Sequence, residues 1–123
     1  MRFFDAGKEI RKILLSDDTL KGVIDNRIYP LVADKGTKFP FIVYRRESTQ
    51  AASNKDAVLF DIDSTVSIII ATDNYSKGVE IASIVSDVLL RADNIELVGS
   101  EERYSDDTFL QLLTYTIKNK RIK

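Results

Sequence analysis

The chain has 123 residues, no cysteine, no histidine and a formal net charge of −1. Those absences remove disulfides, thiolate metal sites, the commonest general base and the commonest transition-metal ligand. Apolar residues at 44% and charged residues at 30% argue against disorder, and the near-neutral balance gives no global attraction to nucleic acid or anionic membrane. No apolar run is long enough to span a bilayer, and charges interrupt Met1 to Ser16, unlike a signal peptide. The expectation is one soluble domain over residues 1–123, made inside the cell.

In chain order, Asp5 to Leu15 has helical spacing that gathers Phe3, Phe4, Ile10, Ile13 and Leu14 on one side. Lys8, Glu9, Arg11 and Lys12 then face water. Ser16-Asp17-Asp18 offers an N-cap for a second short helix, Thr19 to Ile24, which Asp25-Asn26 ends. Arg27-Ile28-Tyr29 is a short extended segment capped by Pro30. Ala33 to Thr37 is a polar turn with Gly36 as the residue at φ > 0, and Pro40 opens a strand, Phe41 to Arg46.

Glu47 to Asp56 is polar throughout and is expected to be a mobile hairpin loop. The next segment alternates strictly. Val58, Phe60, Ile62, Val66, Ile68 and Ile70 are apolar at even positions, and Asp61, Asp63, Thr65 and Ser67 are polar at odd ones, the mark of a half-buried antiparallel strand. Its length predicts a bend or bulge near Asp63-Ser64. Asp73-Asn74 caps a long helix, Tyr75 to Arg91, with Tyr75, Val79, Ala82, Val85 and Leu89 on its stripe and Ile81, Ile84 and Val88 widening it. Ile95 begins a strand toward Tyr104, Ser105 to Thr108 is a turn, and Phe109 to Lys120 is the last strand. There Phe109, Gln111, Leu113, Tyr115 and Ile117 share a face.

The ordered set Arg27-Ile28-Tyr29-Pro30, Ala33, Gly36-Thr37, Pro40-Phe41 and Val43-Tyr44 resembles the tail-completion, or tail-terminator, proteins of long-tailed bacteriophages. The surrounding layout is similar too, from about Lys8 to the last strand. That family often has an aromatic residue at the end of the middle strand, where this chain has Ala71-Thr72. The resemblance implies a structural virion protein of the tail, made in the bacterial host cytoplasm. It forms a ring, usually a hexamer, on the head-proximal end of the tail tube. The ring ends tail polymerisation and offers a head-joining surface. The implied partners are further copies of the chain, the tail-tube protein and the head-connector protein. A head-closure or stopper protein is the alternative reading.

The residues themselves show little chemistry. Asp61 and Asp63 put two carboxylates on one strand face, which is read as solvated or as meeting positive charge on another subunit rather than as a metal site. Phosphate-cradling glycine motifs are absent, and serine nucleophiles lack a histidine partner. The chain is therefore read as no enzyme, without cofactor, membrane attachment or sequence-specific nucleic-acid binding. Two basic clusters remain. Lys118, Lys120, Arg121 and Lys123 read as solubility and edge protection, while Arg45 and Arg46 flank the polar loop. The candidate contacts to a subunit or the tail tube are Arg45, Arg46, Thr49, Gln50, Ser53, Asn54, Lys55, Asp61 and Asp63. The expected fold class is α+β: a mostly antiparallel sheet of four to five strands, with the long helix and the N-terminal helices on one face.

Overall fold

The computed structural model describes residues 3–53 and 59–122. A 3-10 turn, Phe3–Asp5, leads into helix α1 (Ala6–Leu15), and α2 (Asp18–Ile24) follows at once. Ala6, Gly7, Ile10 and Leu14 are the buried positions of α1. Phe4, expected among them, is 72% exposed. The chain enters α1 through the 3-10 turn, so Phe4 does not share the helix's periodicity. Gly7 marks a close approach: a Cβ there would meet the Tyr44 ring at 3.0 Å. Asp17 caps α2 by accepting from the Leu20 N–H at 2.9 Å.

Five strands form one open mixed sheet: β1 (Ile28–Pro30), β2 (Phe41–Ser53), β3 (Leu59–Thr72), β4 (Ile95–Ser105) and β5 (Thr108–Ile122), in the order β1-β2-β3-β5-β4. All pairs are antiparallel except β1 with β2, which run parallel. The parallel pair arises where the chain doubles back through residues 31–40, a loop in which Gly36 takes φ +84° and Phe39-Pro40 is cis. Backbone bonds from Ile42 N–H to Arg27 O and from Leu31 N–H to Tyr44 O bracket it. The Arg27 side chain adds a clamp, its Nε donating to Pro40 O at 2.9 Å and its Nη2 to Val23 O at 3.3 Å.

The alternation in β3 has the expected outcome. Ile62, Ser64, Val66, Ile68 and Ile70 are buried, and they join Ile42 and Tyr44 of β2 and Gln111, Leu113, Tyr115 and Ile117 of β5 on one face. Helices α1, α2 and α3 (Tyr75–Leu89) cover that face, with Ile10, Leu14, Leu20, Ile24, Ile81, Val85 and Leu89 all fully buried. Each such side chain contributes roughly 1.5–3 kcal/mol relative to exposure. The stripe of α3 is rotated from the expected one. Gly78, Ile81, Val85, Val88 and Leu89 are buried, whereas Tyr75 and Val79 are 47% and 40% exposed. Asn74 caps the helix by accepting from Lys77 N–H at 3.0 Å.

Two expectations fail. Glu47 to Ser53 are not loop: β2 continues to Ser53 and pairs with β3 on both sides of a register shift at Glu47, from Phe41 opposite Ala71 to Ser53 opposite Phe60. Polar composition signals a loop only where the backbone lacks a partner. Here β3 supplies the ladder, and Thr49 Oγ1 meets Ser64 Oγ at 3.1 Å across it. The connecting residues 54–58, with Asn54, Lys55 and Asp56, lie outside the described residues. The bulge expected near Asp63-Ser64 is also displaced, since β3 pairs without interruption against β5. One irregularity falls in β2 at Glu47 and another in β4 at Val98, both in strands facing β3 or β5. The β4–β5 turn is as expected, with Asp106 and Asp107 both at positive φ, 50° and 59°, the geometry that tight hairpins require.

Two stability predictions follow from these contacts. Arg27→Ala leaves two carbonyls without their charged donor and should lower unfolding stability by about 1.5–3 kcal/mol. Arg27→Lys should recover little, because a single ammonium does not span both acceptors. Urea midpoints at unchanged slope would read both. Tyr115 is fully buried, its hydroxyl 2.7 Å from Ser86 Oγ, and burial pushes the phenol above the ordinary tyrosine range. A raised pKa means the unfolded chain loses its proton first, so this contribution is complete below the ordinary range and fades as pH rises through it. Tyr115→Phe should cost about 1 kcal/mol at neutral pH and flatten that part of the alkaline dependence.

Candidate interaction surface

Among the described residues no three histidine, cysteine or acidic side chains come together as a metal site. What the fold offers is surface. The bulge at Glu47 sorts the candidate residues of β2 onto the two faces of the sheet. Arg45 lies opposite Ser67 on the uncovered face, and Arg46 lies opposite Val66 on the helix-covered face. Beyond the bulge, Thr49 faces Ser64 on the covered side, and Gln50 faces Asp63 on the uncovered side.

Each arginine has a partner among the described residues. Arg45 donates through Nε and Nη2 to Glu47 Oε1 at 2.9 and 2.8 Å, and the Ser67 hydroxyl donates to the same oxygen at 2.8 Å. The Ser67 bond first, and then Arg45, hold the Glu47 carboxyl below the usual carboxylate range. Arg46 stacks over the exposed Phe4 ring at 4.9 Å and donates to Thr49 Oγ1 at 2.8 Å. Both guanidinium groups remain exposed. Asp63 is half-buried, and its Oδ1 has no hydrogen-bond partner among the described residues, although its cross-strand neighbours are Gln50 and Lys118. Asp61 stands opposite Ala52 and Lys120, and Ser53 opposite Phe60. Asn54 and Lys55 are outside the described residues. The fold thus brings Gln50 and Asp63 together and sets Arg45 and Arg46 on opposite faces.

Three surface features escaped the sequence reading. Where α3 starts and the β4–β5 hairpin turns, Tyr75, Phe109 and Tyr104 form an aromatic cluster, with centroids 5.9 Å apart for the first pair and 4.8 Å for Phe109 with Tyr104. Glu102 ties it down, accepting from Tyr75 Oη and Gln111 Nε2 at 2.7 Å each. The Gln111 amide, and then Tyr75, lower the Glu102 carboxyl, while the same carboxylate raises the Tyr75 phenol. Tyr104 and Phe109 are direct cross-strand partners about the tight turn, so their contact was readable from the hairpin register. Tyr75 was hidden by assigning it to the buried stripe. On the uncovered face, the 31–39 loop and the β4–β5 turn border a cavity of about 520 Å³ over Val43, Ile69 and Leu110. The third feature is a groove of about 950 Å³ between α1 and β1, with Lys8, Arg11 and Lys12 along it.

Comparison with known proteins gives these surfaces a setting. The family model described as "Tail completion protein gp17" matches residues 8–117. Among solved structures the fold is similar to a chain of the "Virion of native gene transfer agent (GTA) particle", with a TM-score of 0.73, 18% identity, and coverage of 91% of this chain and 92% of that one. Comparison with curated proteins finds no match. The matched segment holds the Arg27–Tyr44 motif, most of α1, all of α2 and α3 and most of the sheet, and the chain belongs to the tail completion protein family, the structural tail proteins of phages.

Proposed function

We propose that the chain caps the head-proximal end of the tail tube as a ring of copies, stops further addition of tube subunits and offers the surface to which the head connector joins. The observation that carries this reading is the family match over residues 8–117, taken with a sheet that has one face under helices and the other without one. A monomer with no further contacts would gain little from keeping Val43, Ile69 and Leu110 around an open cavity. A cap needs two different surfaces, one toward the tube and one toward the connector, and the uncovered sheet face and the outer side of the helical layer are unlike surfaces of that kind. We place Arg45, Arg46, Thr49, Gln50, Ser53, Asn54, Lys55, Asp61 and Asp63 in a subunit or tube contact.

Polymerising purified tail-tube protein with and without this chain tests the reading. Tubes should stop at a limited length only when the chain is present. Unrestricted tubes in both cases would contradict it and turn the chain toward head closure. Arg45→Ala and Arg46→Ala remove exposed pairs, so each should shift stability by less than about 1 kcal/mol while impairing tail completion. Normal completion by both variants would remove the arginines from the contact.

A further inference from the structure

Both edges of the sheet refuse a further strand, each in its own way. At β1 the outward groups are already bonded. The Ile28 N–H donates to Asn26 O, Ile28 O accepts from Arg11 Nε at 3.1 Å, and Pro30 has no N–H and accepts from Val32 N–H. At the other edge, β4 carries the Val98 bulge and the charges Glu96, Glu101, Glu102 and Arg103, which discourage backbone pairing. A neighbour at either edge therefore meets side chains rather than a ladder.

Those side chains are complementary. Every residue of β4 after Ile95 is exposed, and the bulge thrusts out an apolar ridge, Leu97 and Val98, 45% and 63% exposed. Glu96 and Glu101 flank the ridge. On the opposite edge, the groove between α1 and β1 has an apolar floor including Leu15, Tyr29 and Pro30, and Lys8, Arg11 and Lys12 line it. None of these three cations has an ion pair among the described residues. Glu96 and Glu101 have local partners, Lys118 at 3.3 Å and Arg103 at 2.9 Å, but exposed pairs of that kind are weak and readily shared.

We propose that the Leu97–Val98 ridge of one copy seats in the α1–β1 groove of the next, with Glu96 and Glu101 meeting Lys8 and Lys12. This rests on the ring reading and specifies its subunit contact. Two copies meeting β4 to β4 would set like charges together, whereas edge-to-opposite-edge contact pairs unlike ones. Such a contact is head-to-tail, the type that closes into a ring when the rotation allows.

The absence of native cysteine makes thiol cross-linking specific. Gly99→Cys sits where a Cβ meets nothing within 4 Å, and Ser16→Cys lies exposed beside the groove, so neither removes a proposed contact. The double variant, bound to length-limited tubes and treated with a short bis-maleimide, should give a ladder of covalent oligomers that ends at one closed size. Each single variant should give no ladder. Lys8→Glu with Lys12→Glu in the double-cysteine background should abolish the ladder, and adding Glu96→Lys with Glu101→Lys should restore it. Dimers from Gly99→Cys alone would overturn the proposal in favour of β4-to-β4 contact. Length-limited tubes without a ladder would overturn the contact and leave the ring standing. Tubes that grow without limit beside the unmodified chain would withdraw the ring reading itself.

Discussion

The Arg27 side chain reaches from the end of α2 to the start of β2, donating to Val23 O and Pro40 O at once. That link joins the helical layer to the sheet at the point where the chain reverses to lay β1 parallel to β2. The backbone bonds at Arg27 O and Leu31 N–H fix the register of Ile28 on Ile42 and so place Ile42 and Tyr44 under α1. Gly7 then lets α1 approach the Tyr44 ring to van der Waals contact. With the helices committed to one face, the strand alternation decides the rest. Isoleucine and valine go inward, and the residues between them are left on a face that carries no helix.

This one-sidedness links the fold to assembly. The covered face stabilises the subunit chiefly by burial, and its buried polar residues among those described, Ser64, Thr72 and Gln111, are each hydrogen-bonded. The uncovered face and both sheet edges also carry groups that the core does not use. Exposed groups there can meet neighbours: Leu97 and Val98 on one edge, and Lys8 and Lys12 beside the other. The two bulges serve the same end, since each turns side chains away from the regular ladder without breaking β3 or β5.

Elements specified by local periodicity were legible in the sequence. The inward set of β3, the caps Asp17 and Asn74, the Gly36 turn and the terminal hairpin each follow from a few neighbouring residues. So did the family, because the ordered run from Arg27 to Tyr44 encodes the β1–β2 clamp. What depended on a partner strand was not legible. Thr49 and Gln50 are polar enough for a loop and become strand only because Ser64 and Asp63 stand opposite them. A bulge at Glu47 rather than near Asp63 is a property of the pair, not of either strand. The basic groove needs α1 set beside β1, two segments whose spacing along the chain says nothing of their contact. The division of the candidate residues on β2 between two faces came from that same bulge.

Amide hydrogen exchange, compared between the free chain and the chain on length-limited tubes, tests most directly whether the surfaces left open by the fold are assembly surfaces. Slower exchange is expected across β4 (residues 95–105) and in the α1–β1 region, with the covered core strands already protected in both states. Unchanged exchange at both sheet edges, on tubes that the chain has nonetheless capped, would contradict it.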